Sequence, residues 1–328
     1  MIIYKMKSTI NFTSEQFVLN NRYILEDNLG KGKTAKVYKC IDIQTDETKA
    51  VKIYQNNDIN EFENEEKILN KITDINSPYL IKCYESGKGI LSYHDKNFEK
   101  MYTILELGKQ GTLFDLILET EHGFSGDVCK FILLQILNAV DALHKEGICH
   151  RDIKPENIVL CGDNYDLKLC DFGYSAKFVD KNNQKKKLKK LRGTNYYAAP
   201  EILERKKYDG DKIDIFSIGA LLFTLMTKKF AFEEATLNNI PLKIEINLYK
   251  LIVYKNYDKY WSFIEKYLNI RDLDENFKNL FLKLVAYNPE ERPTIEEIKN
   301  HEWMQNVTNA TPEYLNDLRN EMIREMAL

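Results

Sequence analysis

The chain has 328 residues. This exceeds the ~250–300 residues at which a single hydrophobic core usually stops growing, so the sequence predicts two lobes or domains. Its 47 basic residues nearly balance 50 acidic ones, and the resulting net charge of −3 gives no reason to expect that the chain as a whole binds polyanions. No apolar run approaches the ~18–20 residues of a membrane span, so we expect no membrane contact and a cytoplasmic or nuclear location.

Residues 22–107 read mostly as short β-rich runs separated by turn residues, as in "RYILEDNLGKG", "KVYKCID" and "TKAVKIY". One helical stretch interrupts them, "DINEFENEEKILNKI", whose apolar side chains recur on neighbouring turns. Two more strand candidates follow, "GILSY" and "KMYTILEL". The pattern therefore predicts a small β-rich lobe that carries one helix.

After Gly108 the pattern becomes helical. A long helix is predicted between Ser125, its N-cap, and Gly147, its stop. The run "DIFSIGALLFTLMT" is apolar almost all round and predicts a buried helix. We therefore divide the chain into an N-terminal extension (1–21), a small nucleotide-binding lobe (22–107), a large lobe for catalysis and substrate binding (108–306) and a helical tail (307–328).

The segment "GKGKTAKVYK" begins at Gly30 and allows two interpretations. Gly32-Lys33-Thr34 looks like the end of a P-loop, but that motif needs a glycine where this chain has Asp27. A P-loop also opens a helix, whereas a β-branched and aromatic run continues here as a strand. The remaining interpretation is a glycine-rich flap whose backbone N–H groups approach nucleotide phosphates.

Three further motifs lie downstream, "HRDIKPENIV" from His150, "DFG" from Asp171 and "GTNYYAAPE" from Gly193. With Lys52 in "AVK", their order and spacing resemble those of eukaryotic protein kinases over roughly Arg22 to Asn306. The resemblance is to the serine/threonine type, and loosely to the calcium/calmodulin and AMP-activated-like groups. It implies an α+β bilobal kinase fold, with a small antiparallel β lobe carrying helix C and a larger, mainly helical lobe.

The resemblance also implies ATP-dependent transfer of the γ-phosphoryl group to serine or threonine hydroxyls of protein substrates. Lys52 would hold the α- and β-phosphates and would need a carboxylate partner, which the helix pattern assigns to Glu65, with Glu66 and Glu61 as alternatives. The implied catalytic residues are Lys52, Glu65, Asp152, Lys154, Asn157, Asp171 and Thr194.

Asp152 would accept the proton of the incoming hydroxyl, Lys154 would neutralise the γ-phosphate and Thr194 would hydrogen-bond to both. Asn157 and Asp171 would bind Mg²⁺, for which Mn²⁺ can substitute. Adenine would lie between Leu29, Val37 and Ala50 on one side and Val159 on the other. The full set expected to bind ATP is Leu29, Gly30, Lys31, Gly32, Val37, Ala50, Lys52, Leu105, Glu106, Leu107 and Val159.

The segment between "DFG" and "APE" contains seven basic residues from Lys181 to Arg192, without an acid, serine, threonine or tyrosine. Kinases with an arginine at the position of Arg151 usually neutralise it with a phosphate on this segment, yet this block has no acceptor. We therefore expect activity without a phosphate on 181–192.

The basic block can be a solvated loop, or it can attract acidic or already phosphorylated substrates; nucleic-acid binding is a remote alternative. Thr112 and Thr224 stand where many arginine-directed kinases carry acids, which agrees with acidic substrates. The main alternative to an enzyme is a pseudokinase scaffold, which the presence of Lys52, Asp152 and the metal ligands disfavours. We expect protein substrates as partners, no nucleic acid, and a monomer.

Overall fold

The structure is a computed structural model that describes residues 16–32, 34–55, 59–232, 247–267, 270 and 273–326. Two compact units are present. The first comprises Met1–Glu66 with Cys83–Leu107, and the second comprises Lys67–Lys82 with Gly108–Leu328. Most of the predicted N-terminal extension, residues 1–15, lies outside the described part of the chain.

The first unit is built on an antiparallel sheet, and its strand order is β1-β2-β3-β4-β6-β5. The strands are β1 (Val18–Leu19), β2 (Tyr23–Lys31), β3 (Ala35–Asp42), β4 (Glu47–Tyr54), β5 (Cys83–Tyr93) and β6 (Lys96–Leu105). The two residues of β1 pair with both β2 and β5. β-Branched and aromatic residues favour these strands, and the central strand β4 is buried along six consecutive positions, 49–54.

Buried residues from all six strands make the core of this unit: Leu19, Tyr23, Leu25, Cys40, Val51, Ile53, Leu91, Tyr102 and Ile104. A second cluster joins the sheet to the first helix, α1 (Ile59–Ile75), through Tyr54 and Phe62. Their rings meet edge to face with centroids 5.0 Å apart. This packing fixes the N-terminal half of α1 against the sheet.

The division between the two units falls inside α1. The sequence places residues 67–82 in the small lobe, but they group with the second unit because their main chain forms hydrogen bonds with strand residue 169 of that unit. Leu80 forms a parallel bridge with Leu169, and the Ile81 amide donates to the Leu169 carbonyl oxygen at 3.0 Å. The Leu169 amide in turn donates to Tyr79 at 2.9 Å.

The second unit is mainly helical. Its helices after α1 are α2 (Leu113–Glu119), α3 (Gly126–Lys145), α4 (Pro200–Leu203), α5 (Gly210–Thr227), α6 (Leu248–Val253), α7 (Tyr257–Tyr267), α8 (Glu275–Leu284), α9 (Ile295–Lys299), α10 (Gln305–Thr308) and α11 (Pro312–Met326). Two short antiparallel pairs complete it, β7 (Ile148–Cys149) with β10 (Ala176–Lys177) and β8 (Ile158–Cys161) with β9 (Asp166–Leu169). The predicted mixture of an antiparallel sheet and helices is confirmed.

Helix α5 is buried on nearly every side, as its apolar sequence predicts. Gly219 allows α8 to approach closely, because a Cβ at this position would lie 2.6 Å from the Cβ of Leu284. No described helix combines the length and the apolar character that crossing a membrane requires.

Helix α11, in the predicted tail, packs on α3 and α2. Leu318 and Met322 are buried there. A carboxylate oxygen of Glu325 accepts from the Ser125 amide, at 2.9 Å, at the start of α3. An acid in this position complements the positive end of the helix dipole. The tail is therefore part of the second unit and not an appendage.

Candidate active site

The glycine-rich segment is the hairpin between β2 and β3, in which Gly30 pairs with Val37. The amide of Gly32 donates to the carbonyl oxygen of Ala35 at 2.9 Å and closes the turn. A Cβ at Gly30 would meet nothing within 4 Å, and one at Gly32 would approach only the Ala35 oxygen, at 3.5 Å. Neither glycine has the positive φ that would require it. Packing therefore does not explain these glycines, and the open space beside them is compatible with the close approach of a phosphate that the sequence predicts.

Lys52 lies on β4 and pairs across the sheet with Val37 on one side and Thr103 on the other. Its Nζ donates to both Oε1 and Oε2 of Glu65, at 2.8 Å each. Glu65 belongs to α1 and only 2 % of its side chain is exposed. Of the two alternatives for this partner, Glu66 instead accepts from the hydroxyl of Ser86 at 3.0 Å. The contact thus falls on the glutamate that the helix pattern assigns.

The residues expected to contact adenine divide between the two units. In the first unit, Ala50 is buried and pairs with Leu105 at the end of β6, and Glu106 and Leu107 follow directly. Leu29, on β2, is half exposed, at 50 %. The remaining residue, Val159, lies on β8 in the second unit.

In the second unit, one buried carboxylate holds the backbone of the "HRD" loop. Asp214 of α5 accepts from the amides of His150 and Arg151 at 2.8 Å each. It also contacts Nε2 of His144 at 2.9 Å. The Arg151 backbone has a φ of +68°, a conformation that L-residues rarely adopt and that needs such support. The loop is consequently fixed at the residue that precedes Asp152.

Four of the predicted catalytic residues form one hydrogen-bonded cluster around Asp152. Thr194 Oγ1 donates to Asp152 Oδ1 at 2.8 Å and accepts from Lys154 Nζ at 2.9 Å. Lys154 Nζ also lies 3.0 Å from Asp152 Oδ2. Although burial opposes its charge, the nearby Asp152 carboxylate raises the pKa of Lys154. The lysine is therefore a cation at neutral pH.

Asn157 completes the cluster. Its Nδ2 donates to the Asp152 carbonyl oxygen at 2.8 Å and to Oδ2 at 3.0 Å. Because both bonds use the amide nitrogen, they leave the amide oxygen as the atom of Asn157 suited to a cation. A hard oxygen donor of this kind, with a carboxylate from Asp171, matches what Mg²⁺ binds in proteins. The donor chemistry therefore fits a magnesium ion.

Asp171 is exposed and precedes a short 3₁₀ turn, Phe172–Tyr174. Its own φ is +60°, and the turn is closed by a hydrogen bond from the Ser175 amide to the Phe172 carbonyl oxygen at 2.9 Å. The preceding Cys170 carbonyl oxygen lies 2.9 Å from Nε2 of His150. The "DFG" segment is thus joined to the "HRD" loop by a direct contact.

The basic block from Lys181 to Arg192 is joined to its surroundings by main-chain bonds and ion pairs. Leu188 and Tyr208 exchange two backbone hydrogen bonds, at 2.8 and 3.0 Å. Two lysines pair with acids at the start of α5, Lys185 with Asp211 and Lys187 with Asp209. These contacts were not predicted, because an isolated charge pattern does not show which acids fold against it.

Glu201 and Arg292, which lie 91 positions apart in the sequence, form a second buried ion pair. The contact is bidentate, with Nη1 2.7 Å from Oε1 and Nη2 2.8 Å from Oε2. Arg292 also donates to the carbonyl oxygens of Ala286 and Lys212, at 2.9 and 3.0 Å. Its donors are occupied by the protein itself, which indicates a structural role.

A flap of glycines, a lysine held by a helix glutamate, and an aspartate clustered with lysine, threonine and asparagine together define a phosphoryl-transfer domain of the kinase class. The protein kinase domain family matches residues 23–304, and the chain belongs to that family. The family uses ATP with a divalent metal ion, and its members act on proteins.

The names of curated relatives agree with this family assignment. The chain is 31% identical to the SNF-related serine/threonine-protein kinase of Homo sapiens, over 87% of this chain and 34% of the relative. It is 34% identical to calcium-dependent protein kinase 5 of Plasmodium berghei (strain Anka), over 84% and 44%. It is 31% identical to CBL-interacting protein kinase 11 of Oryza sativa subsp. japonica, over 87% and 52%. The chain therefore spans about a third to a half of the length of these relatives.

Proposed function

We propose that the chain is an ATP-dependent protein serine/threonine kinase. The cluster of Lys154, Thr194 and Asn157 around Asp152 carries this proposal. Asp152 accepts the hydrogen bond of the substrate hydroxyl and takes its proton. The hydroxyl oxygen then bonds to the γ-phosphorus, and the bond from that phosphorus to the oxygen of ADP breaks. Lys154, as a cation, neutralises charge on the transferring group.

On the nucleotide side, Lys52 holds the α- and β-phosphates, and Glu65 fixes the direction of its ammonium group. Gly30 and Gly32 admit the phosphates close to the backbone. Asn157 and Asp171 would hold Mg²⁺, or Mn²⁺ in its place, and the ion would neutralise phosphate charge. Leu29, Lys31, Val37, Ala50, Leu105, Glu106, Leu107 and Val159 supply the remaining nucleotide contacts in this proposal.

The test is phosphate transfer from ATP to a library of protein substrates in the presence of Mg²⁺. We expect turnover by the natural chain and its loss in Asp171→Asn, by two or more orders of magnitude, because a ligand of the metal is weakened. The exposed Asp163, in the turn between β8 and β9, gives a matched control, Asp163→Asn, with an unchanged rate.

The rival is a pseudokinase that binds partners through an intact fold. A natural chain that unfolds cooperatively but transfers no phosphate to any member of the library would establish this alternative. Binding of nucleotide without turnover would support it further.

We further infer that the substrates are acidic or already phosphorylated around the acceptor. Lys185 and Lys187 form ion pairs with acids of this chain, whereas Lys186, Lys189 and Lys190 are exposed and have no carboxylate contact among the described residues. Thr112 caps α2, because its hydroxyl accepts from the Asp115 amide, and the Thr224 hydroxyl donates to the Ala220 carbonyl oxygen within its own helix. Neither threonine offers a charge that would attract arginine.

A degenerate peptide library tests this inference. We expect selection for acidic or phosphorylated positions near the acceptor, weakened in the charge-reversed variant Lys186→Glu/Lys189→Glu. Lys259→Glu, exposed on α7, is the control and should retain the preference. Selection for arginine upstream of the acceptor would contradict the inference. If the block binds nucleic acid instead, binding will fall steeply with salt concentration.

We also propose a monomer that resides in the cytoplasm or nucleus, without nucleic-acid or membrane partners. Size-exclusion chromatography with light scattering measures the mass directly, and microscopy of a tagged chain shows its compartment. A stable dimer, or a membrane signal, would contradict this part of the proposal.

A further inference from the structure

The guanidinium group of Arg151 is buried, since only 7 % of the residue is exposed, yet its described partners are all neutral oxygens. Nε donates to the Tyr174 carbonyl oxygen and Nη2 to that of Ser175, at 3.4 Å for the latter. Nη1 donates to the Tyr208 hydroxyl at 3.0 Å and to the Lys190 carbonyl oxygen at 3.4 Å. No described carboxylate accepts from this guanidinium.

Tyr208 is the one side chain among these acceptors. It is 1 % exposed, and its hydroxyl donates to the Lys190 carbonyl oxygen at 2.6 Å while it accepts from Arg151. Burial raises the pKa of Tyr208, so the hydroxyl keeps its proton at neutral pH and remains a donor. We call these two hydrogen bonds, Arg151 to Tyr208 and Tyr208 to Lys190, the Tyr208 bridge.

The Tyr208 bridge connects the basic block to the reacting residues. Lys190 lies four residues before Thr194, whose hydroxyl bonds to Asp152. At the other end, Arg151 directly precedes Asp152 and has a strained backbone. A shift of either end would therefore move the acceptor of the substrate proton. Misplacement by about 1 Å can reduce a rate by roughly a hundredfold.

Main-chain pairing alone does not supply this connection. The backbone pairing of Leu188 with Tyr208 fixes the segment at residue 188, two residues before Lys190. This pairing does not reach the guanidinium group of Arg151. The Tyr208 hydroxyl is the atom that joins the segment to Arg151 at a normal hydrogen-bond distance, because the direct contact from Arg151 to Lys190 is 3.4 Å long.

We propose that Tyr208 is a positioning residue whose hydroxyl, by joining Arg151 to Lys190, holds the segment 181–192 in place without any phosphate on it. This proposal rests on the proposed kinase function. It adds a residue outside the expected catalytic set and a physical reason why a block that has no phosphate acceptor can still be ordered.

The first experiment compares Tyr208→Phe with Tyr249→Phe. Tyr249 is a matched control because it is fully buried in the same unit and also donates to a carbonyl oxygen, that of Val285 at 3.2 Å. Both rates are measured where circular dichroism shows the variants folded. We expect kcat to fall about tenfold in Tyr208→Phe, with the KM for ATP unchanged, since a hydrogen bond to a charged group is lost. Tyr249→Phe should keep its kcat.

The second experiment does not depend on activity. Trypsin cleaves after lysine and arginine, and the basic block offers seven such residues. We expect Tyr208→Phe to be cut within 181–192 several times faster than the natural chain or Tyr249→Phe. This result tests the Tyr208 bridge even if the natural chain transfers no phosphate, so failure of the proposed function and failure of the bridge are distinguishable.

Equal kcat values and equal cleavage rates for the two phenylalanine variants would overturn the proposal. Phosphatase treatment of active natural enzyme provides a further check. An unchanged rate supports the proposal, whereas a collapse of the rate would show that a phosphate and not the Tyr208 bridge orders the segment.

Discussion

Arg151 and Arg292 are both buried arginines of the second unit, but their surroundings differ. Arg292 faces the carboxylate of Glu201 in a bidentate contact and is 1 % exposed. Arg151 faces carbonyl oxygens and one tyrosine hydroxyl. Arg292 therefore has a permanent anionic partner, whereas Arg151 is stabilised by the dipoles of three carbonyl groups and one hydroxyl.

The difference separates a residue that maintains the fold from one that orients the site. Removal of Arg292 leaves a buried carboxylate without a counter-charge, which is costly. Removal of Arg151 leaves only neutral oxygens without a donor, and each of these costs less. The same substitution at the two positions should consequently affect different properties of the protein.

The largest effect is expected for Arg292→Met. Because Glu201 would remain buried and unpaired, the free energy of unfolding should fall by about 3–5 kcal/mol. Urea unfolding followed by tryptophan fluorescence measures it, since Trp261 and Trp303 both lie in the second unit. Lys145→Met, on the exposed end of α3, is the control and should change nothing measurable. A loss below about 1 kcal/mol in Arg292→Met would argue against the structural role.

Arg151→Met should show the opposite pattern to Arg292→Met, with a large loss of activity and a small loss of stability. We expect kcat to fall by about a hundredfold, because Asp152 loses the support of its neighbour. The loss of stability should stay near 1–2 kcal/mol. Parallel measurement of kcat and of the unfolding midpoint decides the matter. If Arg151→Met is as unstable as Arg292→Met, then both arginines mainly stabilise the fold and the proposed contrast is wrong.

Arg22 extends the comparison to a partly exposed arginine in the first unit. Its side-chain hydrogen bonds to Asp42, at 2.9 and 2.8 Å, hold the pKa of that carboxyl far below its ordinary value. A depressed pKa gives stability that is fully present above the unfolded value, about 4. That stability is lost as the pH falls through the folded value.

We therefore expect Asp42→Asn to cost about 2 kcal/mol at pH 7. The difference from the natural chain should narrow as the pH is lowered below about 4. Urea unfolding at a series of pH values, followed by circular dichroism, measures this. The exposed Asp46→Asn serves as control. A constant difference across the whole pH range would contradict the assignment.

The smallest effect is expected when the two lysine pairs of the basic block are removed. Lys185 and Lys187 are more than half exposed, at 62% and 55% of their side chains. Pairs of this kind contribute about 0–1 kcal/mol. Lys185→Ala/Lys187→Ala should therefore leave both stability and trypsin cleavage at the remaining basic residues nearly unchanged. Rapid cleavage would show that these ion pairs, and not the Tyr208 bridge, hold the segment.

Much of the fold was accessible from the sequence because it depends on local patterns. Short β-rich runs separated by turn residues predicted the strands of the first unit, and the apolar run from Asp214 predicted α5. The N-cap at Ser125 was predicted from its residue type, and its hydroxyl accepts from the Val128 amide at 3.4 Å. Residues 67–82, which the sequence places in the small lobe, group with the second unit through backbone bonds to Leu169 that no local pattern reveals.

The candidate site likewise contains residues that could be predicted from the sequence and contacts that could not. Its side chains stand at fixed intervals in recognisable motifs, so Lys52, Asp152 and Asn157 could be singled out and a glutamate could be assigned to Lys52. The partners of Arg151 could not, because three of the four are carbonyl oxygens, which every residue type carries. Tyr208 lies 57 positions away in the sequence and belongs to no motif that signals its contact.

The segment 185–190 is joined to its neighbours largely through peptide groups: Lys186 to Phe178, Leu188 to Tyr208 and the Lys190 oxygen to the tyrosine hydroxyl. Such backbone bonds do not depend on the identity of the side chain, but they do depend on the number of residues between the bonded groups. A change of side chain in this stretch can therefore leave its main-chain pairing intact, whereas a deletion or insertion of a single residue would displace every later peptide group. For the docking of this loop, length matters more than side-chain identity, although its lysines retain the role in substrate selection that we propose.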